Sequence, residues 1–323
     1  MSRTLKDLIS SYQTHRLSDF HKLRFHVRKW HVSMLNRIDR HYGHFLLKDI
    51  RAGEVIGWHA DWVGEGKISM GHALVSQLRT LFGFGLTLLE DEDCVRLCMV
   101  LHKRKFPMGQ PRDKAITAEQ VMAIRNIARD QCRYSIALAQ VLQFELILRQ
   151  KDVIGEYVPL SEPGISGVTT ETEKWLRGLR WEEIGENMIL KHLTSKKQKF
   201  LEIDLKLAPM VIEEFGTSDR TLLPASGPII ISESTGYPYR PEDYRRKWRL
   251  IADMAGIPKD VKNMDSRAGG ISEATDAGAD IEHVRHAATH SDIAQTQKYS
   301  RRSNEKVAIV QAKRLEYRNR NAS

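Results

Sequence analysis

The sequence predicts an α+β protein, in which a mostly helical N-terminal domain precedes a mixed domain built around a small antiparallel sheet. Three observations predict it. Apolar residues recur at three- and four-residue spacing through most of the first hundred positions. Later in the chain Leu201, Ile203 and Leu205 alternate strictly with Glu202 and Asp204, the period of a half-buried strand. Between the two regions, residues 106–116 carry two prolines, a glycine and no period, as a linker does. A length of 323 residues suits two domains, drawn here at 1–110 and 111–323. A hydrophobic content of 41% is enough to give each a core.

Taken in order, Phe20, Leu23, Val27, Trp30, Met34 and Ile38 form an apolar stripe on one helix, with Lys22, Arg28, Lys29 and Arg37 opposite and Gly43 as its stop. A shorter helix follows Asp49. Another covers residues 70–88, with Leu74, Leu78, Leu81 and Phe82 inward. The acidic run 90–93 suits the first turn of the next helix, because carboxylates favour the positive end of the helix dipole. That helix ends near Lys103, Arg104 and Lys105. Thr117 with Gln120 is a capping box that opens the second domain. A helix over 134–149 leads to Arg149. Residues 158–172, rich in Ser, Gly, Pro and Thr, read as an irregular excursion. Residues 188–205 read as a hairpin whose polar turn is 195–199. Pro209 and Pro241 fit the first turns of two further helices, with Gly216 and Gly256 as stops.

Charge narrows the function classes. The net charge of +9 is concentrated at the two ends of the chain. Residues 1–50 hold ten Lys and Arg against four Asp, and residues 301–323 hold seven against two Glu. Residues 51–110 are balanced at seven each. Basic ends point to a polyanionic partner. Cys94, Cys98 and Cys132 give neither a disulfide framework nor a zinc pattern, and Cys94 and Cys98 read as small buried apolar residues. The start of the chain lacks the apolar segment of a signal peptide. The most apolar stretch, 134–148, is short and interrupted by Gln140, Gln143 and Glu145, so no bilayer span is expected. A reduced, cytosolic protein is the expectation. Gly64-Glu-Gly66-Lys67-Ile68 lacks the residues of a phosphate-binding loop, and Gly83-Phe-Gly85 is no dinucleotide fingerprint.

The most informative residues lie near the C-terminus: Met264-Asp-Ser-Arg267-Ala-Gly-Gly, then Ala288-Thr-His290-Ser-Asp, then Gln297-Lys-Tyr299-Ser-Arg301. Arg267, His290 and Tyr299 are separated by 23 and 9 residues. Upstream stand Leu146-Ile-Leu-Arg149-Gln-Lys-Asp152, Leu179-Arg-Trp181-Glu-Glu-Ile184 and Thr194-Ser-Lys196-Lys-Gln-Lys-Phe. Two arginines, a histidine, a lysine and a tyrosine suit metal-free phosphodiester cleavage. Such a reaction needs a nucleophile, donors that neutralise the charge developing on phosphorus, and an acid for the departing oxygen. His283, His286 and His290 also fall at three- and four-residue intervals, but no acid or cysteine completes a metal set and no His-Glu-x-x-His occurs.

This set, in this order, resembles the tyrosine recombinases (phage integrase family). The resemblance covers the second domain motif by motif and the first only in size, helicity and charge. It implies a helical core-binding domain and a catalytic domain that clamp duplex DNA, acting as a homotetramer on two DNA sites without metal or nucleotide cofactor. It implies Tyr299 as nucleophile, Arg149 and Arg267 as the phosphate clamp, and His290 as a phosphate ligand or proton carrier. Lys196 aligns with the family's hairpin lysine, the acid for the leaving oxygen, with Lys197 and Lys199 as close competitors. Leu179 to Ile184 resembles the family's Leu-Arg-Trp-x-Asp-Ile motif, which leads into a strand. Asp152 fills the acidic slot of the first arginine box. Three positions depart from the pattern. Ile147 stands where the family has glycine, read as a matter of packing, and Ala288-Thr289 stand where it has Leu-Gly, read as minor. Met264 occupies the first position of the His-x-x-Arg box, and a thioether accepts no proton. The reading is a site-specific recombinase or integrase of a bacterial mobile element. A catalytically silent DNA-binding relative and a type IB-like topoisomerase are the alternatives.

Overall fold

A computed structural model describes residues 3–297, together with Gln311 and Arg314. The chain forms two compact units, Met1–Arg112 and Asp113–Ser323, divided inside the proline-bearing segment.

The first unit is helical: α1 (Leu5–Thr14), α2 (Phe25–Tyr42), α3 (Ala52–Val63), α4 (Ile68–Leu88) and α5 (Glu92–Lys103). Asp91 caps α5 through the Cys94 amide, and Glu92 and Asp93 follow in its first turn. The core gathers Leu5 and Leu8, Leu35 and Ile38, Trp58, and Leu74, Leu78, Leu81 and Phe82. Cys94 is part of it, while Cys98 is half-buried and Cys132 exposed. The expected stripe on α2 needs correction. Phe20 lies in a separate 3-10 turn and Leu23 precedes the helix, so only Met34, Leu35 and Ile38 are buried from it. Val27 and Trp30 are 40% and 43% exposed.

The second unit begins with α6 (Ala118–Asp130) and α7 (Tyr134–Glu145). The capping box at Thr117 and Gln120 is present, with both reciprocal hydrogen bonds made. Helix α7 is buried on nearly every face. Its glutamines are interior ties: Gln140 accepts from Trp248 Nε1 at 2.7 Å and donates to Ser266 Oγ at 3.0 Å, and Gln143 donates to the Tyr244 hydroxyl at 2.9 Å. Glu145 accepts from the Met210 and Val211 amides at the start of α9 (Pro209–Phe215). Among the described residues no helix is long and apolar enough to cross a membrane.

The expected helix over 134–149 is also corrected. It ends at Glu145, and Arg149 is instead the N-cap of a separate short helix, α8 (Gln150–Ile154). Ile147 sits between them at φ 54°, a left-handed conformation that breaks the helix. The excursion at 158–172 is flanked by strands the sequence did not announce, β1 (Glu156–Pro159) and β2 (Glu173–Leu176), paired antiparallel with Glu156 opposite Leu176. Trp181–Glu183 forms a 3-10 turn ahead of the next strand. The anticipated hairpin is β3 (Ile189–Leu193) with β4 (Phe200–Asp204), in register from Ile189 opposite Asp204 to Leu193 opposite Phe200. Its turn is closed by the Thr194 amide on the Lys199 carbonyl at 2.9 Å. Within residues 241–297 follow the helices α10 (Pro241–Met254), α11 (Asp265–Asp276), α12 (Ile281–Ala287) and α13 (Ile293–Gln297). Pro209 and Pro241 open their helices, and Gly216 closes α9 in a left-handed conformation. Helix α11 lies close against the backbone ahead of α6 and at the end of α7. A Cβ at Gly269 would stand 2.0 Å from the Ile116 carbonyl oxygen, and one at Gly270 2.2 Å from that of Phe144. No side chain fits there. The two glycines thus let the helix that carries Arg267 pack against the segment leading to Arg149.

Candidate active site

Arg267 lies in the first turn of α11, and its guanidinium is fixed by backbone carbonyls. Nη1 donates to Ile147 O at 2.6 Å and Nη2 to Ala288 O. These two carbonyls precede Arg149 and His290 by two residues each, so one guanidinium ties both neighbours to α11. Arg149 Nη1 in turn donates to Thr289 Oγ1 at 3.1 Å and stands 3.8 Å from Asp152 Oδ2. Three segments far apart in sequence therefore meet at Arg149, Arg267 and His290.

His290 is 5% exposed, and its Nδ1 lies 2.9 Å from the hydroxyl of fully buried Thr296. Its carbonyl accepts from Lys199 Nζ and Arg285 Nη1, both at 3.1 Å. Burial pushes its imidazole down to about 4, and the charges of Arg267, Arg149, Lys199 and Lys196 push the same way. A neutral histidine among four cations marks a place where a negative charge is wanted: an anion there would relieve their mutual repulsion.

The hairpin brings its lysines to the same cluster in different ways. Lys196 is exposed at the turn, and its charge acts on His290. Lys199 is half-buried and anchored on the His290 carbonyl. Lys197 is exposed. The turn is pinned from below, because the Ser195 amide donates to Asp152 Oδ1 at 2.6 Å. Asp152 is fully buried; burial would raise its pKa, but the His192 imidazole beside it and the hydrogen bond from Ser195 outweigh this and hold it below the usual range. A cleft of about 760 Å³ opens beside the cluster, with Lys199, Thr289 and exposed Phe200 and Leu207 on its walls. Met264 is 62% exposed at the start of α11. Tyr299 lies outside the described residues, two beyond Gln297 at the end of α13.

Sequence reasoning missed Thr289 and His192. Thr289, in sequence only a minor departure from Leu-Gly, holds Arg149 and adopts φ 50°. Ile147, read as a packing change, adopts φ 54°. Both departures from the family's glycines keep the left-handed backbone that a glycine would adopt without strain. His192 gave no signal beyond its inward register on β3. Among the described residues no group of three His, Cys, Asp or Glu is placed to hold a metal, and His283 and His286 are exposed where His290 is buried.

No family model and no curated protein sequence matches the chain. Solved structures do. The chain is similar to a lambda integrase dimer bound to a COC′ core site, at 16% identity and TM-score 0.68, covering 92% of this chain and 95% of that one. It is similar to a lambda integrase tetramer bound to a Holliday junction, at 16% identity and TM-score 0.67, covering 92% and 77%. The Tn1549 transposon integrase in complex with circular intermediate DNA gives 12% identity and TM-score 0.64, covering 96% and 99%. The likeness covers most of the chain, and the chain shares the fold of these integrases.

Proposed function

We propose that the protein is a site-specific DNA recombinase that breaks and rejoins duplex DNA through a 3′-phosphotyrosyl intermediate. One observation carries the reading. Arg149, Arg267, His290 and the lysine turn converge into a cationic cluster, in a fold shared with integrases solved on DNA. In the proposed reaction the Tyr299 phenol oxygen attacks a phosphorus of the DNA backbone. Its bond to phosphorus forms as the bond to the 5′ oxygen breaks, and the phenol proton passes to a base. Arg149 and Arg267 donate to the nonbridging oxygens, where charge builds up. Lys196 gives its proton to the 5′ oxygen as it leaves. Rejoining reverses the steps, with the 5′ hydroxyl as nucleophile, and the phosphotyrosyl bond conserves the energy needed. The base is not Met264. His290 serves once the phosphate has entered: burial and the surrounding cations hold its pKa down, and the anion offsets the cations' share. Duplex DNA is the partner, with a homotetramer on two sites as the working assembly.

A catalytically silent DNA-binding relative is the second reading, and the exposed thioether at Met264 favours it. Cleavage separates the two. On a nicked substrate carrying the attachment sequence, the parent protein should form a covalent adduct that Tyr299→Phe abolishes, with duplex affinity nearly unchanged. Adducts that persist in Tyr299→Phe exclude Tyr299 as nucleophile. A parent that binds and forms none is the silent relative.

A further inference from the structure

We propose that His192 is a positioning residue held as an imidazolium beneath the hairpin, which balances Asp152 and through it sets both the Arg149 clamp and the turn carrying Lys196. The inference rests on the reading of the cluster as a phosphate-cleaving centre.

His192 is 2% exposed on β3, on the same face as buried Leu190 and Thr194. Its Nδ1 stands 3.0 and 3.2 Å from the two oxygens of Glu183, which the 3-10 turn presents. On its other side Nε2 stands 3.9 Å from Asp152 Oδ1, an ion-pair distance beyond direct hydrogen bonding. A neutral imidazole has one N–H and cannot answer two carboxylates. Asp152 is fully buried, and a buried carboxylate without compensating charge is costly. An imidazolium meets Glu183 with a hydrogen bond from Nδ1 and Asp152 with its charge, Nε2 itself making no hydrogen bond. In a neutral imidazole that hydrogen-bonds Glu183 through Nδ1–H, the Nε2 lone pair would face the Asp152 carboxylate. Burial alone would lower the imidazole's pKa; the hydrogen bond to Glu183 and the nearby carboxylates of Asp152 and Glu183 outweigh it and push His192 up to about 9.

Asp152 is the hub of this arrangement. Its Oδ1 accepts the Ser195 amide, the residue before Lys196, and its Oδ2 accepts the Arg149 amide at 3.4 Å, with Arg149 Nη1 at 3.8 Å. If His192 lost its charge, Arg149 would be the remaining cation at Asp152, and its guanidinium would be drawn toward the carboxylate, away from Thr289 and the incoming phosphate. The imidazolium thus leaves the clamp charge available. The sign with pH follows. The His192 pKa is raised in the fold, so the pairing is fully formed below its ordinary 6.5 and lost as pH rises through about 9. Asp152 is depressed, so its part is lost as pH falls through that lowered value.

The test uses the full chain with its DNA substrate. His192→Gln should slow single-turnover cleavage about tenfold to a hundredfold, the range typical where a partner orients a first ligand. It should also move the pH profile: the parent's alkaline limb near 9 disappears, and an acid limb enters as Asp152 is released upward. Adding Asp152→Asn should recover part of the loss, because the neutral pair restores charge balance. Selective ¹⁵N-histidine labelling should show both His192 nitrogens protonated at pH 7.5, with the Ser195 amide shifting as His192 titrates. A neutral His192 at pH 7.5 overturns the proposal, as does a His192→Gln profile parallel to the parent's. If the parent itself forms no adduct, the cleavage reading falls, while the nitrogen spectra and the Ser195 amide still decide whether His192 is the charged support of the turn.

Discussion

Thr289 and Ile147 each hold a left-handed backbone with a β-branched side chain, at φ 50° and 54°. Each such residue costs about 1–2 kcal/mol relative to the right-handed region, a strain that glycine escapes. At Thr289 the return is a contact, since its hydroxyl accepts from Arg149 Nη1 at 3.1 Å. Two substitutions separate the backbone from the hydroxyl. Thr289→Gly and Thr289→Ala both remove the contact, so both should lower the cleavage rate by the same factor. Their stabilities should differ in an unusual order, with the glycine variant above the alanine variant by about 1 kcal/mol in urea unfolding. In ordinary helical backbone alanine is the more stable. If alanine ranks higher here, residue 289 is not left-handed in solution. The sequence marked these positions as departures from a family pattern but not as strained. A glycine announces a left-handed site; isoleucine and threonine in the same conformation announce nothing.

At the scale of elements, what was legible followed from local chemistry. The capping box at Thr117, the prolines that open α9 and α10, and the alternation along β4 each depend on residues a few positions apart. Features set by distant partners were not legible. Strands β1 and β2 have four residues each and pair across the long excursion, so neither shows a period. Val27 and Trp30 continue the spacing of the buried stripe on α2 and are exposed all the same. Periodicity identifies a helix face, while its burial depends on the reach of the neighbouring helices. In the proposed reaction the hairpin leaves a finer question, which of its lysines would be the acid. Lys199 Nζ is committed to the His290 carbonyl, whereas Lys196 stands at the turn with its charge on the site. Lys196→Ala should therefore lose the proton donor, a loss of about 10²–10⁴-fold. A substrate whose 5′-bridging oxygen is replaced by sulfur tests this, because a thiolate leaves without a proton. Cleavage by Lys196→Ala should be largely restored on that substrate, and cleavage by Lys199→Ala, which disturbs position rather than proton supply, should not. Rescue of Lys199→Ala alone would assign the acid to Lys199.

For the molecule as a whole, the candidate site could be proposed from sequence because the proposed chemistry needs particular residue types in a fixed order, although the fold brings Arg149 together with Arg267 and Thr289 from segments over a hundred residues apart. Tyr299 is legible in sequence alone, since it lies outside the described residues. The first unit offers no such motif, and its role is proposed from charge. Helix α2 exposes Lys29, Arg37 and Arg40 along one side, with no acidic residue among them, and the basic excess of residues 1–50 is largest in this part of the unit. A face of this kind suits phosphates rather than bases: lysine and arginine that displace counterions give affinity without sequence preference. Each phosphate contact contributes about 0.9 to the slope of log K against log salt. Replacing both Lys29 and Arg37 with alanine should lower that slope by about 2, and should weaken binding to the attachment sequence and to unrelated duplex in equal measure. Titrations of both duplexes between 50 and 200 mM salt, roughly the range over which several phosphate contacts change affinity by orders of magnitude, read both quantities. An unchanged slope would remove α2 from the DNA interface. A loss confined to the attachment sequence would mean instead that these side chains reach base edges, and the first unit would then contribute to site choice as well as to grip.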